Sequence, residues 1–320
     1  MSRIVVTRSI PEPALAVLRA AGEVEVCSQE GALTPAELRE AVRGADAVVT
    51  MIPDRIDGEV ADAAGPQLRV VSTVAVGYDN LDVPALTERG IEVTNTPGVL
   101  VEATADLAWG LLLSVTRRLG EGERLLRARQ PWAFSLSFML GTGLQGKTLG
   151  IIGLGQIGQA VARRGRAFGM DIAYTGRRRV AESVETELDA RFLDLAELLE
   201  TADVVSVHCP LTPDTHHLID ESALRRMRST AVLVNTSRGP VVDESALAGA
   251  LRRGEIAGAA LDVFEDEPRV HPDLLDLDTV AMAPHLGSAT VETRTEMATL
   301  AARNVAGVLS GEGPVTPVGR

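Results

Sequence analysis

An arginine, a glutamate and a histidine follow three successive apolar runs near the end of the chain. Arg238 lies in Asn235-Thr236-Ser237-Arg238-Gly239, Glu267 in Asp262-Val263-Phe264-Glu265-Asp266-Glu267-Pro268, and His285 in Pro284-His285-Leu286-Gly287-Ser288. The preceding runs, 231–235, 257–263 and 279–283, read as strands. In open α/β sheets, ligands bind at the carboxyl ends of strands. Reduction of a 2-keto acid needs a cation to hold the carboxylate and polarise the carbonyl. It also needs a proton donor for the developing alkoxide, and a group that keeps that donor charged. An arginine, a histidine and a carboxylate of the 265–267 run suit those tasks in that order, because a neighbouring carboxylate stabilises an imidazolium. Taken singly, each has a blander reading: a loop arginine, a solvated acid, a histidine in a turn. Their joint placement is what points to chemistry.

The hydride source is indicated by Gly153-Leu154-Gly155-Gln156-Ile157-Gly158. A strand over 148–152 precedes it and a helix to about 168 follows, which is the context a dinucleotide-binding turn requires. The first glycine permits the tight turn, the second lets a pyrophosphate approach the backbone, and the third lets helix and strand pack closely. N–H groups at the helix start then face the phosphates. An NAD site usually carries an acid at the end of the next strand, for the ribose 2′-hydroxyl. Here the strand over 171–175 ends in Thr175-Gly176-Arg177-Arg178-Arg179, and Asp171 stands at its beginning, on the wrong side for the cofactor. Arginine suits a 2′-phosphate. The expected cofactor is therefore NADPH, with NADH as the alternative if this is merely a solvated basic turn.

Positioning these groups takes a parallel sheet in each half of the chain. Strands are expected at 4–7, 24–27, 47–50 and 68–73, with helices at 13–20 and, opened by Thr34, at 35–42. The second half adds strands at 171–175 and 204–208, and helices at 221–227 and 244–252. Such alternation predicts an α/β fold of two open parallel-sheet domains. A long helical pattern from 102 to 129 is apolar over 103–115 and suits a bridging or dimerising helix. The chain changes domain near 97–102, and a last helix over 291–309 is placed to return to the first domain.

Composition is consistent with a small-molecule enzyme. With 320 residues, 45% of them hydrophobic, there is material for two cores, and with 3% aromatic those cores must be aliphatic. A net charge of -13 argues against a nucleic-acid partner, though not against an anionic substrate held by local arginines. Cys27 and Cys209 allow no disulfide framework and no paired metal-ligand spacing, and they are expected as ordinary buried thiols. No apolar stretch has the length of a signal peptide or membrane span, so a cytoplasmic location without membrane partners is the default expectation.

The chain resembles the D-2-hydroxyacid dehydrogenase family over essentially its full length, and within it the glyoxylate/hydroxypyruvate reductase branch. The resemblance is carried by 72–80 (Ser-Thr-Val-Ala-Val-Gly-Tyr-Asp-Asn), 95–100, 102–106, the glycine motif, 236–239, 261–268 and 284–290. It implies a Rossmann dinucleotide-binding domain, 100–287, inserted into a flavodoxin-like substrate domain, 1–99 plus 288–320, with a dimerisation helix near 102–129. Position by position, it implies that Arg238 binds substrate and that His285 is the proton donor, paired with Glu267. The Val76 and Gly77 backbone N–H groups would receive the substrate carboxylate. Asp262 would stand near the nicotinamide carboxamide. Thr104, Pro210, Thr236 and Gly287 would line the cofactor, with Gly153 to Gly158 and Thr175 to Arg178 holding its remainder. The branch often carries two tryptophans before the 141 loop. Here Trp132 is present, but Phe134 stands near the second position, which leaves the size of the substrate side chain open.

Two other kinds of function share these motifs. One is a different enzyme of the fold: phosphite dehydrogenase is an alternative, whereas phosphoglycerate dehydrogenases commonly carry a further C-terminal domain and formate dehydrogenases lack this Arg-Glu-His set. The other is a dinucleotide-sensing protein of the corepressor type. Turnover of NADPH with glyoxylate separates enzyme from sensor.

Overall fold

The computed structural model describes residues 1–28 and 31–319. The chain divides into two units, Met1–Leu100 with Ala289–Arg320, and Val101–Ser288. The first unit holds β1 (Arg3–Val6), β2 (Glu23–Val26), β3 (Ala47–Thr50), β4 (Val70–Thr73) and β5 (Glu92–Thr94), in the order β2-β1-β3-β4-β5. All of its strand pairings are parallel. That is the flavodoxin-like order. β3 and β4 are buried at every residue, as expected of strands covered on both faces, whereas the edge strand β2 alternates exposed and half-buried residues. On one face, Ala298, Ala301, Ala302 and Val305 of the helix Val291–Ser310 pack with Ile4, Val6 and Val49.

The second unit holds β6 (Thr148–Ile152), β7 (Asp171–Thr175), β8 (Ala190–Phe192), β9 (Val204–Val207), β10 (Val232–Asn235), β11 (Gly258–Leu261) and β12 (Val280–Met282). The order is β12-β11-β10-β9-β6-β7-β8, again parallel throughout. Strand order reverses between β6 and β9, so a crevice opens at their carboxyl ends, where this fold binds ligands. Small residues bring the layers together. A side-chain carbon on Gly165, in the helix Gln156–Ala167, would come within 2.8 Å of Leu149. Trp109 packs in the same layer and donates its indole N–H to the Val161 carbonyl at 3.1 Å.

The long helix expected over 102–129 is two helices, Val101–Thr116 and Leu119–Arg127. The break is at Arg118, whose φ of 54° ends helical geometry and whose side chain is bonded to Glu121. Thr142 N–H donates to the Thr116 carbonyl at 2.8 Å, and Gly141 packs so tightly on that carbonyl that only glycine fits. After the second helix, Trp132, Phe134, Leu136 and Leu140 are all well exposed. Cys27 and Cys209 are free and only half-buried, which corrects the expectation of ordinary buried thiols. Both lie just past strand ends, where cover is incomplete. Burial nevertheless pushes the Cys209 thiol up to about 11. Among the described residues, no helix is long and apolar enough to cross a membrane.

Candidate active site

β10, β11 and β12 end side by side, and the turns that follow them carry Arg238, Glu267 and His285. After β10, Asn235 folds the turn by accepting from the Ser237 N–H and hydroxyl, both at 3.1 Å, while donating to the Arg238 carbonyl at 2.9 Å. Arg238 is half-buried at its apex. Gly239 comes next because nothing larger fits: a side-chain carbon there would lie 1.9 Å from the Phe264 carbonyl carbon. The turns after β10 and β11 are thus in backbone contact.

After β12, His285 adopts a left-handed backbone (φ 54°), a conformation a side chain disfavours and which the surroundings must hold. They do so through Asp262, at the end of β11. Its carbonyl accepts from the His285 N–H at 2.8 Å, and its carboxylate accepts from the Leu286 and Gly287 N–H groups at 2.6 and 2.8 Å. Burial pushes the Asp262 carboxyl up, and the two N–H donors only partly offset that. Thr104 completes the anchor by donating to the Gly287 carbonyl at 3.2 Å.

So held, His285 Nδ1 stands 2.8 Å from Glu267 Oε2. The other carboxylate oxygen of Glu267 accepts from the Phe264 N–H at 3.1 Å. Burial tends to raise the Glu267 carboxyl. The hydrogen bond and charge of His285, the Phe264 N–H and the Arg238 charge outweigh it, so the net shift is downward. Glu267 is therefore an anion at neutral pH and loses its charge only as pH falls through that lowered value. With Nδ1 engaged, Nε2 has no hydrogen-bond partner among the described residues. An imidazolium oriented by a carboxylate and offering its outer N–H can protonate an oxygen that gains negative charge.

The glycine turn fits a dinucleotide. Gly153 has φ 96° and packs on the backbone of Cys209, where a side-chain carbon would meet the amide nitrogen at 2.8 Å. Gly158 packs equally tightly on the Gly153 carbonyl. Gly155 is the reverse case, with open space where a side chain would project. It caps the helix Gln156–Ala167 without any side-chain hydrogen bond, which leaves backbone donors for an anion. Gln156 is exposed, Ile157 half-buried and Leu154 buried. The buried Thr236 hydroxyl has no hydrogen-bond partner among the described residues, and Pro210 stands exposed beyond β9. At the end of β7, buried Thr175 is followed by exposed Gly176, Arg177 and Arg178. Arg179 is committed elsewhere, in a two-pronged pair with Glu185 at 2.7 Å for each prong. Among the described residues, neither Arg177 nor Arg178 makes an ion pair. The basic turn thus presents two available cations rather than three.

In the first unit, Val76 and Gly77 follow β4. Their N–H groups make no hydrogen bond among the described residues. The Val76 carbonyl, in the same peptide as the Gly77 N–H, accepts from Asn95 Nδ2 at 2.8 Å. Because C=O and N–H point oppositely across a trans peptide, Asn95 sets the direction of the Gly77 donor. Sequence reading quoted Asn95 without assigning it a role, and no local pattern distinguishes it from a turn asparagine. His208, after β9, likewise carries no distinguishing signal in the sequence. Its Nε2 is 2.7 Å from the Ser206 hydroxyl, and burial pushes its pKa down to about 4, so it is a neutral imidazole near pH 7.

A parallel-sheet dinucleotide fold with this set of residues defines a nicotinamide-dependent oxidoreductase. Residues 109–287 match the D-isomer specific 2-hydroxyacid dehydrogenase NAD-binding domain. The chain is 49% identical to a glyoxylate reductase of Thermococcus onnurineus, over 99% of this chain and 96% of that one. An NADPH-dependent glyoxylate/hydroxypyruvate reductase of Sinorhizobium meliloti, solved with NADP and malonate, superposes with a TM-score of 0.86 at 37% identity, covering 99% of this chain and 97% of that one. A glyoxylate reductase from Paecilomyes thermophila gives 0.90 at 32% identity, covering 99% and 98%. The chain belongs to the D-2-hydroxyacid dehydrogenase family and is an NAD(P)-dependent reductase of small keto acids.

The contrast among the glycines is testable. Gly155→Val, at a position with φ -75° and open space, should fold normally and lose most NAD(P)H affinity, read by cofactor fluorescence titration. Unchanged affinity in a folded variant would mean that the phosphates lie elsewhere.

Proposed function

We propose that the protein reduces glyoxylate or hydroxypyruvate to the corresponding 2-hydroxy acid, with NADPH preferred over NADH. The observation that carries this is the 2.8 Å His285–Glu267 pair with its outward Nε2, beside the turn that holds Arg238. A nicotinamide held by the 153–158 turn, Thr175 to Arg178, Pro210, Thr236, Asp262 and Gly287 supplies the hydride when bound. Arg238 binds the substrate and polarises its carbonyl. His285 donates its Nε2 proton to the oxygen, and Glu267 holds the ring and offsets its charge. In the first unit, the unengaged Val76 and Gly77 N–H groups serve as donors for a carboxylate. Residues 1–99 with 288–320 then act as the substrate domain and 100–287 as the dinucleotide domain. Thr104 acts through its bond to Gly287, at the edge of the cofactor site.

The NADPH preference rests on Arg177 and Arg178, and the Sinorhizobium relative solved with NADP supports it. We also propose a homodimer. Trp132, Phe134, Leu136 and Leu140 are large apolar residues left exposed within nine positions, a concentration that favours an interaction surface, and they follow the helices over 101–127. A cytoplasmic location fits a reductase of this kind.

The activity is tested by NADPH consumption with a panel of 2-keto acids. Glyoxylate or hydroxypyruvate should give the highest kcat/KM, and tight NADPH binding without turnover would indicate a sensor instead. Replacing Arg177 and Arg178 together with Ala should raise the KM for NADPH roughly tenfold or more, the scale of one lost charge-assisted hydrogen bond. NADH should be nearly unaffected, since it has no 2′-phosphate, and an equal effect on both would refute the assignment. For assembly, light scattering at micromolar concentration should give twice the chain mass, and a monomer would count against the apolar surface as an interface.

A further inference from the structure

His217 lies outside every motif used so far, yet it adopts a left-handed backbone with φ 49°. Glycine takes that conformation freely and a histidine does not, so the side chain is held there against a local preference. What it touches is informative. Its backbone N–H donates to the Pro240 carbonyl at 2.8 Å, two residues beyond Arg238. Its Nε2 stands 2.9 Å from Glu265 Oε2, two residues before Glu267. Its Nδ1 is 3.8 Å from Asp243, and its ring stacks on His216.

Glu265 is itself fixed from the other side. Its Oε1 accepts from the Glu244 N–H at 2.7 Å, and its own N–H donates to Glu244 Oε1 at 2.7 Å. The two glutamates thus exchange hydrogen bonds between the start of the helix Glu244–Arg253 and the turn after β11. From that turn the Phe264 N–H holds Glu267. Gly239 and Phe264 are in backbone contact, and the paired Glu244 and Glu265 add a second tie between the segments that carry the two turns. His217 spans them.

We propose that His217 is a positioning residue, a clamp joining the Arg238 turn to the Glu267 turn. It sets the spacing between the guanidinium that binds substrate and the pair that delivers the proton. The proposal rests on the roles given to Arg238, Glu267 and His285 above. It commits the imidazole itself, through Nε2 and Glu265, and not the backbone conformation.

Two substitutions separate side chain from backbone. H217G suits the left-handed backbone best and removes the clamp. H217Q keeps the same backbone disadvantage and offers an amide N–H at the position of Nε2. At saturating glyoxylate and NADPH, H217G should lose roughly tenfold or more in kcat, the scale on which small misplacements act. H217Q should recover most of that loss. NADPH affinity by fluorescence should change far less than kcat in both, because the 153–158 turn that takes the phosphates is not touched. H217G matching or exceeding H217Q in kcat overturns the clamp, as does wild-type kcat in both. If the unaltered enzyme turns over no 2-keto acid, the proposed function fails and the clamp falls with it. Turnover by the unaltered enzyme with the reverse order of variants overturns the clamp alone.

Discussion

The hydrogen bond between His285 Nδ1 and Glu267 Oε2 joins the turns after β12 and β11 at 2.8 Å, and much of the surrounding structure holds that distance. Neither turn is regular, so neither position is set by helix or sheet geometry. His285 has a left-handed backbone that Asp262 fixes with its carbonyl and both carboxylate oxygens. Glu267 is fixed by the Phe264 N–H. A pair partly open to solvent gains little stability from its charges. The ordering therefore sets orientation: it commits Nδ1 and leaves Nε2 unengaged, as the proposed proton transfer requires.

The parallel sheet makes this convergence possible. All strands of the second unit run the same way, so the glycine turn and the turns that carry Arg238, Glu267 and His285 fall at one end. Small residues then let those turns approach. Gly239 against Phe264 and Gly153 against Cys209 are contacts where a side chain would collide. Gly155 has no such contact and leaves open space beside the helix start. The same residue type thus permits close packing at some positions and leaves room, as the proposed phosphate binding requires, at another.

Much of this architecture was legible in the residues. β6 and β7 fall where the β-branched runs place them, because buried parallel strands leave a strong apolar signal. β5 and β8 leave too little signal, each being three residues of which one is charged, and the β8 side chains are largely uncovered. The pattern over 102–129 is helical throughout, but the break at Arg118 depends on backbone strain that periodicity does not report. At the candidate site, residue types and strand ends pointed to Arg238, His285 and the acidic run 265–267, and the family resemblance singled out Glu267 within that run. The acidic run 265–267 did not reveal that Glu265 faces His217 while Glu267 faces His285, since that division depends on turns brought together by the fold. Nor did the run 177–179 reveal that Arg179 is committed to Glu185.

The claim that His285, oriented by Glu267, delivers the proton is tested most directly by kcat for keto-acid reduction across pH in His285→Ala and Glu267→Gln. His285→Ala should lose about 10²–10⁴-fold in kcat at every pH while binding cofactor normally, the usual span for removing a general acid. Glu267→Gln should move the alkaline limb of the profile to lower pH, because the imidazolium loses the negative charge that stabilises it. Near-native kcat in His285→Ala across the range, or an alkaline limb unmoved in Glu267→Gln, would contradict the account.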